Sequence, residues 1–411
     1  MKTTTVLIIG AGHCGLAMSY QLTRRSIDHL VLDAGRAGES WRSRRWDSLR
    51  LLTPNWMNSL AGENTMPMAC DGFPGVDDFV TSLDDWIARN KPPILSETAV
   101  ISLKRVDGGF AAETSRGPIH SQSVVIATGA CALPKIPQFA NALGRQTKQL
   151  SPLEYRNPSD IGSGRVLVVG ASASGLQIAR ELALAGKQVT LAVGSHGRLP
   201  RTYRGADILM WMHLIGSLDE PYTAVEDLER ARRTPSLPLM GSCDRADLNL
   251  NLLQASGVEL VGRFVDIRDG SALFSGGLAN AMLSADLKMN RLLNSVDSWI
   301  SDLGMDDRIA QAVRFEPTRI PTDPRVSIPL NEFDTVIWAT GFTPDHRFIQ
   351  LPVLDRKGRL MHDGGVVAPG LYAMGLPYMR TARSTHISGA PDDAQALAQH
   401  IETYLRHPLA A

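Results

Sequence analysis

Short apolar runs stopped by glycine and followed by a helical stripe occur twice in this chain. Val6-Leu7-Ile8-Ile9 reads as a buried strand, Leu16 to Leu22 as a helix, and His29-Leu30-Val31-Leu32 as a second strand. The same order returns with the strand Arg165-Val166-Leu167-Val168-Val169, the helix Leu176 to Ala185 and the strand Gln188 to Val193. Two more runs, Ser123-Val124-Val125-Ile126 and Thr335-Val336-Ile337-Trp338, each continue into Ala-Thr-Gly. Leu209 to Ile215, with Trp211 and Met212, and Leu283 to Leu303, with Lys288 and Arg291 among apolar positions, read as amphipathic helices. This pattern predicts an α/β fold of three layers with two Rossmann-like units.

The turns between these elements carry the chemistry. Gly10-Ala11-Gly12-His13-Cys14-Gly15 has the glycine spacing of a dinucleotide loop. Gly10 makes the turn, Gly12 lets phosphates approach the backbone, and Gly15 packs helix on strand. The helix N-terminus then presents N–H groups and a positive dipole end to a pyrophosphate. Asp33 closes the next strand and is the acid expected to hold a ribose, which suits FAD or NAD and disfavours a 2′-phosphate.

In the second copy, Gly170-Ala171-Ser172-Ala173-Ser174-Gly175, serine replaces the middle glycine, and no acid ends the following strand. Arg198 and Arg201 come instead as candidate clamps for the 2′-phosphate of NADPH. Thr128-Gly129 and Thr340-Gly341 end the two Ala-Thr-Gly strands, 119 and 171 residues after the first glycine of their respective loops. A small residue, a hydroxyl and a glycine at a strand end suit chain passage beside a bound dinucleotide.

With 42 basic and 42 acidic residues, the chain offers no electrostatic footprint for nucleic acid or an anionic membrane. The expectation is a cytoplasmic protein, monomeric or homodimeric, acting on a small molecule. Cys14, Cys70, Cys131 and Cys243 form no C-x-x-C, zinc spacing or disulfide framework, so no metal and no redox dithiol is expected. Arg230 to Arg233 reads as a solvated face.

Further features fall in a familiar order: Gly38-Glu39-Ser40-Trp41, Trp46-Asp47-Ser48-Leu49-Arg50, Ala127-Thr128-Gly129, the second glycine loop, and Ala339-Thr340-Gly341-Phe342-Thr343-Pro344. Over almost the whole chain this order resembles the class B flavoprotein monooxygenases. The resemblance implies an FAD domain from residues 1–160 and 331–411. It implies an NADPH domain from residues 161–330, with a helical substrate-lining insertion at about 203–307. Residues 130–137 would form one crossing between the domains and Thr340-Gly341 the return. Ala34, Trp41, Arg42 and Gly375 join the loop residues as cofactor contacts, and Asp392 or Asp393 is either a flavin contact or an N-cap. The helix from Ala394 to Leu405 would point its N-terminus at the flavin. In such enzymes NADPH reduces FAD, and O2 forms a C4a-(hydro)peroxide that oxygenates a small substrate, here expected at nitrogen or sulfur.

Two departures bear on the oxygenation step. Leu52 stands at a flavin-facing position where many relatives have asparagine, and Ser151 stands where the linker fingerprint has histidine, with Tyr155 as anchor. An NADPH-dependent oxidase or reductase is therefore an alternative, and a nucleotide-binding redox sensor is a second. His386, on the approach to the last helix, is a candidate for tuning the flavin or orienting substrate, and His13 for touching FAD. Either is equally read as a structural histidine.

Overall fold

The apolar runs become strands of two separate sheets. The computed structural model describes residues 2–63 and 72–407; Cys70 lies outside them. β1 (Lys2–Ile9) leads through the first glycine loop into α1 (His13–Arg24) and β2 (His29–Leu32). After α2 (Glu39–Ser43) and α3 (Val76–Asn90) come β3 (Ile94–Leu95), the hairpin β4 (Val100–Val106) and β5 (Gly109–Thr114), and β6 (Ile119–Ile126). The chain crosses at β7 (Leu133–Pro134) and enters the second unit with β8 (Lys148–Leu150), β9 (Arg165–Val169), α4 (Ala173–Leu184) and β10 (Val189–Ala192).

The middle third begins with the hairpin β11 (Thr202–Tyr203) and β12 (Ala206–Asp207), then α5 (Ile208–Leu214), α6 (Leu228–Ala231) and α7 (Leu250–Ala255). Next are β13 (Glu259–Val261), β14 (Phe264–Arg268), β15 (Ser271–Phe274) and α8 (Leu278–Asp302). β16 (Ser327–Pro329), β17 (Phe333–Trp338) and β18 (Phe342–Thr343) lead back to the first unit, which closes with β19 (Val366–Ala368), β20 (Leu371–Ala373) and α9 (Ala390–Arg406).

The first sheet runs β19-β20-β6-β1-β2-β3, with the β4–β5 hairpin attached to β6. The second runs β13-β10-β9-β17-β8, parallel throughout. Successive residues of β9 serve opposite cores. Val166 and Val168 pack with Leu176, Leu253 and Met282 beneath helices, whereas Leu167 and Val169 pack with Phe264, Phe274 and Ile328 beneath the β14-β15-β16 sheet. The third layer of this unit is thus strand, not helix, on one face. That alternation explains an apolar run with no polar face.

Strand membership also moves the expected limits. β8 and β17 belong to the second sheet, so its unit starts before Lys148 and ends after Trp338, outside residues 161–330. Nor is 203–307 a helical insertion throughout. β13 extends the second sheet and β14–β15 cover it. What is helical is the pair α5 and α8, which bury Ile208, Leu209 and Trp211 against Met289, Leu293, Val296 and Ile300. The two crossings lie side by side, because β18 pairs antiparallel with β7 and Thr340 Oγ1 donates to the Lys135 carbonyl.

Candidate functional site

Each glycine loop sits at the carboxyl end of its sheet, and the two are built alike. Gly10 N donates to Leu32 O at 2.7 Å and Gly170 N to Ala192 O at 2.9 Å, which ties each turn to the neighbouring strand. Both glycines have φ +112°, in the region that favours glycine. A Cβ on Gly15 or Gly175 would stand 1.8 or 1.9 Å from the carbonyl oxygen of Gly10 or Gly170, so helix and strand pack with no room between them. Around Gly12, by contrast, a Cβ would meet nothing within 4 Å. That is the open approach a pyrophosphate needs. Ser172 uses its hydroxyl within the protein instead, 3.0 Å from both the carbonyl and the hydroxyl oxygen of Ser236. Ser174 lies half-buried in the first turn of α4.

Asp33 holds the first loop together: its two carboxylate oxygens accept from Ala11 N at 2.8 Å and Gly35 N at 2.9 Å. Each oxygen keeps a second lone pair for a ribose hydroxyl. Ala34 is exposed beside it. Trp41 packs edge-on to Phe79 at 4.7 Å, with the Arg45 guanidinium over its ring, and Arg42 pairs with Asp84. These two side chains brace α2 on α3.

Buried polar atoms around the first loop lack a hydrogen-bond partner among the described residues: His13 Nε2, Thr128 Oγ1, His386 Nδ1, Ser388 Oγ and Asp393 Oδ2. Native interiors leave few such atoms unsatisfied, and each costs about 1–3 kcal/mol when left so. Their grouping fits a polar cofactor spread over the loop. Burial, and secondarily the charge of His386, holds the His13 pKa down to about 4; burial and then Arg383 hold His386 at about 4. Both imidazoles are neutral at pH 7. Gly375, at φ +73°, passes within 2.9 Å of the Cys14 sulfur when a Cβ is placed on it, so the last strand closes on the first loop.

The sequence comparisons agree with this geometry. Residues 7–207 match the pyridine nucleotide-disulphide oxidoreductase family model. An uncharacterized CzcO-like oxidoreductase of Geobacillus kaustophilus is 31% identical over 402 residues, covering 96% of this chain and 97% of the relative. The chain belongs to the CzcO-like oxidoreductases. An indole-3-pyruvate monooxygenase of Oryza sativa, YUCCA1, is 24% identical over 330 residues, covering 72% of this chain and 79% of that one. Among solved structures, the flavin-containing monooxygenase from Stenotrophomonas maltophilia shares the fold at TM-score 0.68 and 19% identity, covering 98% of this chain and 100% of that one.

Several sequence-based assignments change in this CzcO-like chain. Arg198 is buried and bonded to Asp286 Oδ1 at 2.7 Å, Thr318 Oγ1 and the Glu316 carbonyl. Arg201 is wholly buried against Asp207 and the Leu52 carbonyl. Both guanidiniums are committed inside the protein, so neither serves as a phosphate clamp. Leu52 is partly buried and packs on the α5–α8 cluster, as Trp56 does. The N-cap of α9 is Gly389, which removes the N-cap reading of Asp392; that side chain is exposed and paired with Arg383, while Asp393 turns inward. Burial raises the Asp393 pKa to about 6.

Trp46 is buried in the second unit's core, Ser48 Oγ donates to Glu181 at 2.7 Å, and Tyr155 Oη donates to the same carboxylate at 2.9 Å. The conspicuous Trp-Asp-Ser segment of the first unit is therefore stapled to Glu181 of α4, the carboxylate that the linker tyrosine also holds. Ser151 is spent locally, with N and Oγ both donating to Glu154 at 2.8 Å. Beside this staple opens a cleft of about 320 Å³ lined by Arg50, Arg180, Glu181 and Cys243; it contains no residue of either glycine loop. Among the described residues no His, Cys, Asp and Glu cluster suits a metal ion, and no helix is long and apolar enough to cross a membrane.

Sequence reasoning named Asp392 and Asp393 together and missed that only Asp393 turns inward. It also missed Arg263, whose Nη2 donates to Ser195 Oγ at 3.1 Å just beyond β10. No local pattern distinguishes that arginine from its neighbours.

Proposed function

We propose that this oxidoreductase is an FAD-containing, NADPH-dependent monooxygenase of small organic molecules, acting at nitrogen or sulfur. The observation that carries the reading is the duplicated loop geometry combined with the unpartnered polar atoms around the first copy. When bound, FAD accepts hydride from NADPH and activates O2. Gly10, Gly12 and Gly15 seat its pyrophosphate, Asp33 and Ala34 border its ribose, and Thr128, Gly129 and Gly375 line its path. His13 and His386 supply neutral imidazoles with free nitrogens toward it. The first turn of α9 directs its positive dipole end the same way. Gly170, Ser174 and Gly175 seat the pyrophosphate of NADPH, with Thr340 and Gly341 closing the passage between units. For its 2′-phosphate we assign Arg263 with Ser195, since Arg263 has no carboxylate partner among the described residues and stands at the edge of β10.

The likeness to a YUCCA monooxygenase supports oxygenation; Ser151 at the linker supports a second reading, an NADPH oxidase releasing hydrogen peroxide. One experiment separates them. NADPH consumption is measured against hydrogen peroxide release in the presence of amines and sulfides, with 18O2 as the oxygen source. Label in a product and peroxide well below NADPH consumed support the monooxygenase. Stoichiometric peroxide with every substrate supports the oxidase, and negligible NADPH consumption overturns both.

A further inference from the structure

The run Arg230 to Arg233 is not the solvated face that its sequence suggests. Arg230 and Arg233 are exposed, but Arg232 is half-buried, and its Nε and Nη2 are both shielded from solvent with no hydrogen-bond partner among the described residues. These two nitrogens form one edge of the guanidinium, the fork that takes both oxygens of a carboxylate. Elsewhere in this chain that edge is filled by an acid. Arg325 Nε and Nη2 donate to the two oxygens of Glu259 at 2.6 and 2.7 Å, and Arg347 meets Asp345 at 2.8 and 2.6 Å. Around Arg232 the nearby acids are committed elsewhere. Glu229 is paired with Arg359 at 3.2 Å and Arg233 at 3.6 Å, and Asp363 accepts from Tyr222 Oη at 2.6 Å.

Basic and hydroxyl groups stand there beside the carboxylates of Glu229 and Asp363. Arg380 Nη1 and Tyr222 Oη both lie 3.0 Å from the point where a Cβ on Gly364 would stand, and His362 is kept neutral by burial and by Arg232. The place is also informative. Ala373 N donates to Gly365 O at 2.8 Å, so the 362–365 turn sits at the carboxyl end of β20, the edge of the first sheet that also carries the Gly10 loop. In parallel sheets ligands gather at that edge.

We propose that Arg232 anchors the carboxylate of a small organic ligand between residues 222–232 and the 362–365 turn. Tyr222 and Arg380 flank the same turn. Taking that ligand as the substrate rests on the monooxygenase reading above; the site itself rests on the fork.

The test is calorimetric titration of the oxidised holoprotein, without NADPH, so that binding is read apart from turnover. Benzoate, phenylacetate and hexanoate are compared with their primary amides and with inorganic phosphate. The acids should bind at least about tenfold tighter than the amides, and Arg232→Gln should weaken the acids by about 10–100-fold while leaving the amides unchanged. Arg232→Lys should recover part of the loss, and Arg233→Gln should bind as wild type. Unchanged melting temperature and flavin content exclude misfolding as the cause, and if Arg232→Gln fails to fold, the Arg232→Lys comparison carries the test. Equal binding of acids and amides, loss of no affinity in the variants, or no acid binding below about 10 mM would overturn the proposal. Phosphate binding as tightly as the acids and depending on Arg232 would replace the carboxylate with a phosphate group. If acids bind through Arg232 but NADPH is not consumed, the site stands and the monooxygenase reading falls.

Discussion

A Cβ placed on Gly10 would lie 2.4 Å from the carbonyl oxygen of Ala127, and one on Gly170 would lie 2.4 Å from that of Ala339. The Ala-Thr-Gly strand of each unit is therefore the wall against which its own glycine loop is pressed. In the second copy the Ala339 Cβ would also lie 3.2 Å from a Cβ on Gly175, so a small side chain before the threonine suits the close packing of helix on strand there.

That contact separates folding from cofactor binding. Gly10→Ala and Gly170→Ala combine a clash with backbone at 2.4 Å and an unfavourable φ, and each should cost about 2–4 kcal/mol of stability by denaturant unfolding. Gly12→Val, which meets no protein atom, should leave the apoprotein's unfolding midpoint nearly unchanged yet yield colourless protein. Retained flavin in that variant would remove the first loop as the FAD seat.

The arginines divide into two kinds. Arg198→Ala and Arg201→Ala each leave a buried aspartate unpaired and should lose about 3–5 kcal/mol, without altering the preference for NADPH over NADH. Arg263→Ala should do the reverse: a stability change near zero, and an NADPH KM about tenfold higher with that for NADH unmoved. Steady-state kinetics with both nucleotides, beside urea unfolding, would expose a misassignment of either kind.

Stability should fall in mild acid. His13 and His386 have native pKa values of about 4 against 6.5 when unfolded, so their contribution is present above about pH 6.5 and is lost as pH falls toward 4. Asp393 acts oppositely: raised to about 6 from 3.8, its contribution is largest below 3.8 and declines as pH rises through 6. Urea midpoints at pH 7.5 and 5 should differ less in His13→Asn or His386→Asn than in wild type, and more in Asp393→Asn. Identical pH slopes in all four proteins would mean that these groups do not titrate as their burial implies.

The staple between the units rests on Glu181. Tyr155→Phe removes one hydrogen bond to a carboxylate from a fully buried ring and should cost about 1–2 kcal/mol. Glu181→Leu should cost more, since it removes both hydrogen bonds and leaves the buried Tyr155 hydroxyl facing an apolar side chain, while the exposed Ser48 hydroxyl turns to water. Thermal unfolding of the two variants checks the order.

Local pattern was enough for the elements near the loops. The continuous apolar runs at Val6–Ile9 and Val166–Val169, the glycine turns and Asp33 are all dictated by short-range rules, because strand, turn and helix N-terminus follow one another within a few residues. The twin Ala-Thr-Gly strands were visible too, though not that each braces its own loop. What only the tertiary structure decided is the fate of the charged side chains. Arg198, Arg201 and Arg232 look alike along the chain, yet Asp286 and Asp207 meet the first two, from positions 88 and 6 residues away, and no acid among the described residues fills the fork of the third. A guanidinium's role depends on which carboxylate the fold brings within 3 Å. For Arg198 that distance is set by the packing of α8 on the second unit, which no local spacing encodes, whereas Arg201 meets Asp207 locally at the β11–β12 hairpin.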